Sequence, residues 1–327
     1  MKNNERLFYI FECEVASKSS GAVLPTITDL AQIWKKHFED DVASVPIRKA
    51  SAHLLVGDID ADHGKNKDTI SVLIRLSDTE APNVVYSDIP NKKYIEHQKS
   101  GTEGYEVGAH FIISTLPEKG KPNTYLAILE SVPGLNYREV RRALNKILHN
   151  QYDRDPTPFE YVDPFGRRTK DGAPKLIKHL PRLDFRGLPS ENLINDINRG
   201  NISEITLIKT EQKTPVGGVS YLKKEETNVR ISVDNKNKSQ NAWDDIKSAM
   251  LSQHKAFPTS KISFKLPDQK RSVTVNIENK SGVPIDDIYI KSFRIDKIYP
   301  LLASSSRSLV KHLIEKARPR LIEERNT

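Results

Sequence analysis

The sequence predicts an α+β protein of two domains, each a mainly antiparallel sheet covered by amphipathic helices. Three observations carry this. Residues 104–150 read as strand, turn, strand and capped helix. Short β-branched and apolar runs, bounded by Gly, Pro and Asn, recur along both halves. Amphipathic helical patterns stand between those runs and close the chain.

In the central stretch, residues 107–115 (VGAHFIIST) and 124–131 (TYLAILES) are apolar on both parities, as strands covered on both faces are. The intervening LPEKGKPN holds two prolines and a glycine and reads as a turn. Asn136 is placed to cap the following helix, and Glu139 completes a capping box. Val140, Leu144, Ile147 and Leu148 form its apolar stripe, while Arg138, Arg141, Arg142 and Lys146 lie largely elsewhere. A solvated face and a phosphate-facing helix both fit that pattern.

Before this stretch, residues 7–15 predict a strand and 26–40 a helix with Ile27, Leu30, Ile33, Trp34 and Phe38 on one face. Thr28 is its expected cap and Trp34 its core anchor. Residues 49–57 and 69–76 predict strands joined by GDIDADHGKNKD. Alternating Asp58, Asp60 and Asp62, with His63, suit calcium or magnesium, but the EF-hand spacing fails. His63 stands where the glycine belongs and Thr69 where the bidentate Glu belongs, so a solvated acidic hairpin tip is expected. Residues 78–105 read as a long polar loop with a short strand at 84–86. There Lys92, Lys93, Tyr94, His97 and Lys99 put cations beside an aromatic, a composition that suits phosphates or single strands, and equally a mobile surface loop.

Residues 1–150 form the expected first domain. Residues 151–189 read as a proline-rich basic linker, since prolines at this density exclude a long helix. Its cations include Arg167, Arg168, Lys170 and Lys175. Residues 190–327 form the second domain. It opens with a helix at 191–198, capped by Ser190 and stopped by Gly200. Strands follow at 202–210 and 228–233, then a helix at 241–254 with Trp243, Ile246, Met250 and Leu251 on one side. A hairpin at 261–266 and 272–278 and a strand at 288–296 come next. The closing helix, 305–323, buries Leu309, Val310, Leu313, Ile314 and Ala317 and exposes Arg307, Lys311, His312, Lys316, Arg318 and Arg320. Pro319 should kink it or end it early.

The 51 Lys and Arg against 43 Asp and Glu give a formal charge of +8, consistent with an anionic partner. A single cysteine, Cys13, excludes an intrachain disulfide and a cysteine-based zinc cluster. No window approaches a membrane helix, and Glu12 and Glu14 interrupt the N-terminal apolar run, so a cytoplasmic protein is expected. There is no Walker A loop, G-x-G-x-x-G, G-x-S-x-G or H-E-x-x-H. His110, inside an apolar strand, reads as a core histidine. Glu204 with Lys209, or Asp286 and Asp287 with Lys291, are the only nuclease-like sets, and neither has convincing spacing. No catalytic residue, metal or cofactor is assigned.

The expected function is therefore a non-catalytic nucleic-acid-binding protein, for DNA more than RNA. Its contacts would come from Arg138, Arg141, Arg142, Lys146, Arg167, Arg168, Lys170, Lys175, Arg307, Lys311 and Lys316. Such a chain fits an accessory component of a prokaryotic defence or mobile-element system, with a protein partner, a homo-oligomer and no membrane. The alternatives are an assembly subunit without nucleic-acid affinity and a metal-dependent nuclease.

Overall fold

The hairpin at the centre of the sequence is also the centre of the larger sheet. The computed structural model describes residues 2–19, 21–61, 68–216, 219–266, 272–280, 282–284 and 289–326, without the side chains of 211–225 and 283. The chain divides into two compact units, Met1–Phe185 with Phe293–Thr327, and Arg186–Ser292. Both mix helix with antiparallel sheet.

The first unit contains β1 (Arg6–Ser17), α1 (Ile27–Glu39), β2 (Ser44–Ile47), β3 (Ala52–Asp60), β4 (Thr69–Asp78), β5 (Val84–Asp88), β6 (Lys93–His97), β7 (Tyr105–Glu118), β8 (Lys121–Glu130), α2 (Tyr137–Arg154), β9 (Glu160–Val162), β10 (Leu176–Lys178) and β11 (Pro181–Gly187). The second contains α3 (Glu191–Arg199), β12 (Asn201–Val216), β13 (Val219–Ile231), α4 (Ala242–Gln253), β14 (Thr259–Lys265), β15 (Ser272–Glu278) and β16 (Val283–Pro284). The chain then returns to the first with β17 (Ser292–Ile295) and α5 (Lys311–Arg325).

The main sheet is eight-stranded, ordered β11-β1-β8-β7-β4-β3-β2, with β17 also beside β1. Its β7–β8 pairing sets Phe111 opposite Leu129 and Ile113 opposite Ala127. Both strands run longer than expected, because Pro117 sits at a register irregularity where its missing N–H breaks no regular ladder. Only Lys119-Gly120 remains as the turn, and Gly120 takes φ +76°, which suits glycine.

One face of this sheet lies under α1 and α2. Phe11 meets Tyr137 at 5.3 Å and Phe111 stacks on Phe185 at 5.1 Å. Trp34 is fully buried, as expected, and its indole N–H donates to the Leu144 carbonyl at 3.2 Å. Burying such side chains stabilises by roughly 2–3 kcal/mol each. The cap of α1 is Thr26 rather than Thr28: its hydroxyl accepts from the Asp29 N–H, and Asp29 accepts from Thr26 N–H. Buried His37 completes the inward face in place of half-buried Phe38.

The opposite face carries Arg6, His110 and Glu130, all but buried. Arg6 Nε donates to Glu130 Oε1 at 2.6 Å, and its Nη atoms donate to the carbonyls of Lys2, Glu5 and Ala303 at 2.6, 2.8 and 3.0 Å. Residues 298–310 cross this face as a strap. The Gly108 N–H donates to Ser304 O at 2.9 Å, and a Cβ on Gly108 would sit 2.9 Å from Ser305 Oγ, so glycine permits the approach. The Leu309 N–H donates to Asp58 Oδ2 at 2.8 Å and the Val310 N–H to His110 Nε2 at 3.1 Å. These commitments explain why the closing helix starts at Lys311 rather than at 305. It then continues through Pro319 to Arg325, burying Leu313, Ile314, Ala317 and Leu321 against the sheet.

Residues 151–189, expected as a linker, supply a 3-10 turn at Thr157–Phe159 and strands β9, β10 and β11. Pro181 opens β11, the strand position where a missing N–H costs least. The strand expected at 49–57 starts later, because Arg48, Lys49 and Ala50 take φ 49°, 56° and 72°, so β3 starts at Ala52. The polar loop 78–105 contains the full β5–β6 ribbon, with Tyr86 opposite Ile95 and Asp88 opposite Lys93.

In the second unit the sheet order is β13-β12-β14-β15-β16. Ile197, Ile202, Trp243, Ile262, Phe264 and Ile277 form its core. Ser190 caps α3 as expected, accepting from the Leu193 N–H at 3.2 Å. At the other end of α3, Lys238 Nζ donates to the carbonyls of Ile197 (3.1 Å), Asn198 (2.9 Å) and Gly200. Leu251, expected inward on α4, is half exposed: it lies one residue past buried Met250 and so off the apolar stripe. The turn at Gly217-Gly218 lies outside the described residues.

Candidate nucleic-acid interface

The α2 helix is fixed at its start by a complete capping box. Asn136 Oδ1 accepts from the N–H groups of Arg138 (2.9 Å) and Glu139 (3.2 Å), and Glu139 Oε2 accepts from the Asn136 N–H at 3.1 Å. Val140, Ala143, Leu144, Ile147, Leu148 and Gln151 turn inward. Helical geometry then leaves Arg138, Arg142 and Lys146 exposed, with Arg141 half-buried beside them. Arg141, Arg142 and Lys146 form no ion pair among the described residues. The Arg138 guanidinium lies 5.4 Å from the Tyr137 ring. Carboxylates that could neutralise the row are engaged: Glu139 lies 3.5 Å from Arg48, and Asp153 is 2.8 Å from His149.

Arg48 also pairs with Asp78 and so ties the start of α2 to the end of β4. Its left-handed turn exposes Lys49 at this end of the sheet. Three successive non-glycine residues at positive φ are strained, by about 1–3 kcal/mol each. The ion pairs of Arg48 and the Ser51 hydroxyl on Arg48 O (2.9 Å) hold them there.

The expected 167–175 cations divide by role. Arg167 pairs with buried Asp163 and lies 5.7 Å from the Phe165 ring. Burial pushes the Asp163 carboxyl up, but the Phe165 N–H and the Arg167 guanidinium more than offset this and hold it below the usual range. Arg168 donates to Gly172 O at 2.7 Å. Both arginines therefore shape the loop, whereas Lys170 and Lys175 are exposed and without an ion pair among the described residues. Arg307, Lys311 and Lys316 lie on the strap and α5, across the sheet from α2, and Lys316 donates to Lys297 O at 2.8 Å. The sequence-derived set is thus split between two sides of one sheet.

A cleft of about 440 Å³ lies between the β5–β6 ribbon, the start of β7 and the strap. Asn83, Tyr86, His97, Tyr105, Glu106 and Ser304 are among its lining residues. Sequence reasoning noted the cations here but missed the cleft; the β-branched and aromatic residues of VVYSD and KYIEH on either side of a Pro-Asn turn were the available signal.

Other candidates find different uses. Among the described residues, no group of three or more His, Cys, Asp or Glu could hold a metal ion. Asp58 accepts from the Leu309 and Ile59 N–H groups, while Asp62 and His63 lie outside the described residues. Glu204 accepts from the Thr206 hydroxyl at 2.6 Å and lies 3.7 Å from Arg230; Asp286 and Asp287 are also outside the described residues. No described helix is long and apolar enough to cross a membrane. No protein-family model, curated protein or solved structure matches the chain.

Proposed function

We propose that this chain binds nucleic acid without catalysing a reaction, DNA in preference to RNA, through the solvent side of α2. The observation that carries the reading is Arg142 and Lys146: exposed, on a rigid capped helix, and without a carboxylate partner among the described residues. Cations in that state neutralise phosphates and release counterions, which makes affinity fall with salt. Lys170 and Lys175 extend the surface from the loop beyond α2. The accompanying role is accessory, in a prokaryotic defence or mobile-element system.

The test is a titration of labelled DNA and RNA at about 50 and 200 mM salt. Arg142→Ala and Lys146→Ala should each weaken binding across sequences and reduce the salt slope by about 0.9 per lost phosphate contact. Absence of binding at the lower salt overturns the reading.

A second reading, assembly with another protein, rests on the second unit. There β13 ends its sheet, and Val229, Ile231 and Leu251 are 41%, 40% and 50% exposed. An apolar groove of about 420 Å³ runs beside α4, lined by Ile205, Leu207 and Ile231. A monomeric mass in solution, with no copurifying protein, removes this reading.

A further inference from the structure

We infer that the cleft beside the β5–β6 ribbon receives an unpaired nucleobase from a single strand whose phosphates lie on α2. The inference rests on the α2 reading and names the form of nucleic acid the surface takes.

Tyr86 comes from the ribbon and Tyr105 from the main sheet, and both line the cleft. They are 62% and 42% exposed, and neither ring stacks on another aromatic among the described residues. Exposed tyrosine rings in a cleft of about 440 Å³ offer a flat ligand stacking surface within an ordinary small-ligand volume. The charged lining residues are already engaged. Lys99 donates to the carbonyls of Thr79 and Ala81, and Glu103 accepts from the Ser100 N–H at 2.7 Å. Glu106 accepts from the Ser305 hydroxyl at 2.7 Å and lies 3.8 Å from Arg75, which leaves the tyrosine rings as the surface open to an uncharged base. Asn83, whose amide donates to Glu96 at 2.6 Å, and Ser304, whose hydroxyl donates to Glu106 O at 3.2 Å, also line the cleft, while the His97 side chain makes no hydrogen bond among the described residues. Phosphates instead meet the exposed Lys92 and Lys93 at the ribbon tip.

The cleft and the cationic helix lie at the same end of the sheet. Arg48 joins Glu139, in the first turn of α2, to Asp78 at the end of β4. Gly104 packs against that same Asp78: a Cβ there would lie 2.9 Å from its backbone nitrogen. Tyr105 follows directly. The strap side of the cleft lies on the sheet face opposite α2, so a strand leaving the start of α2 would reach the cleft by passing around this end of the sheet. A base held in a duplex is stacked and paired and cannot enter, so a single strand should be preferred.

The experiment uses the full chain and two probes, an oligothymidine of about 12 nucleotides and a blunt duplex of equal length. Fluorescence anisotropy is recorded across a salt series. Tyr86→Leu and Tyr105→Leu should each weaken oligothymidine binding roughly tenfold. They should leave its salt slope and the duplex affinity unchanged, whereas Arg142→Ala weakens both probes and flattens the slope. Both tyrosines are exposed, and a melting curve matching the wild type confirms folding. If the tyrosine variants bind oligothymidine like the wild type while Arg142→Ala is impaired, the base cleft is wrong and the α2 reading stands. If the wild type binds neither probe at about 50 mM salt, the α2 reading falls and takes the cleft with it.

Discussion

His110 and Glu130 hold one another in a single arrangement. His110 Nδ1 lies 2.6 Å from Glu130 Oε2, while its Nε2 accepts the Val310 N–H at 3.1 Å. Because Nε2 is the acceptor, the ring proton sits on Nδ1 and points at the carboxylate. The other carboxylate oxygen takes Arg6 at 2.6 Å. An arginine near the start, a strand carboxylate and the amide that precedes α5 thus share one buried network.

Removing the charge at its centre should be costly. Glu130→Gln leaves the Arg6 guanidinium buried without its counter-charge, and because Arg6 and His110 both donate, the amide can accept from only one of them while its NH2 faces the other donor. We expect a loss of about 3–5 kcal/mol, measured by denaturant unfolding. A loss below about 1 kcal/mol would show that the network contributes little.

His179 makes stability depend on pH. Burial pulls its pKa below the ordinary 6.5, only partly opposed by its hydrogen bond with the Val23 backbone. The native state therefore keeps the ring neutral, while the unfolded chain takes up a proton as pH falls below 6.5. Unfolded binds more protons than native in that window, so stability is present above it and lost below. Urea midpoints taken from about pH 7.5 to 5.5 should fall less steeply for His179→Gln than for the wild type. Equal slopes would refute this.

In the second unit, Lys238→Met withdraws the ammonium from the three carbonyls at the end of α3. Methionine keeps an unbranched apolar stem of similar length, so most of the packing is retained while the charge-assisted bonds are lost. Burial already lowers the Lys238 pKa, so the neutral replacement also relieves a desolvation penalty. The net cost should be about 1–2 kcal/mol, with amide exchange accelerated in residues 197–200 before the rest of that unit.

Pro319 sits inside α5 although its side chain is exposed. Pro319→Ala restores an intrahelical donor and removes the ring's clash with the preceding turn. It should stabilise the protein by up to about 3 kcal/mol. No gain in thermal midpoint would mean that the helix has already adapted to the proline.

Local chemistry made much of this structure readable. The central hairpin, the Asn136–Glu139 capping box, the Ser190 cap and the buried Trp34 all follow from spacing within a few residues. What escaped were features decided at long range. Leu309 and Val310 look helical by period, yet their amides are claimed by Asp58 and His110, some 200 and more positions away. The left-handed turn at Arg48 is braced by Asp78 and Glu139, which lie 30 and 91 positions away in the sequence. For the candidate interface, the sequence picked out the α2 cations but could not show that Arg167 and Arg168 serve their own loop. Nor could it show that the α5 cations occupy the other side of the sheet.

The Ala303 carbonyl and the Val310 amide, which complete the network around Arg6 and His110, are synthesised only after the whole second unit. Domains usually fold as their residues leave the ribosome. Here β1, β7 and β8 emerge early but must wait, with a buried arginine and histidine still missing partners, until residues 303–310 have been made. A nascent chain stalled after the second unit would carry an unfinished first one. Premature termination anywhere before residue 310 should therefore give a product cleared by proteolysis rather than a shortened working protein.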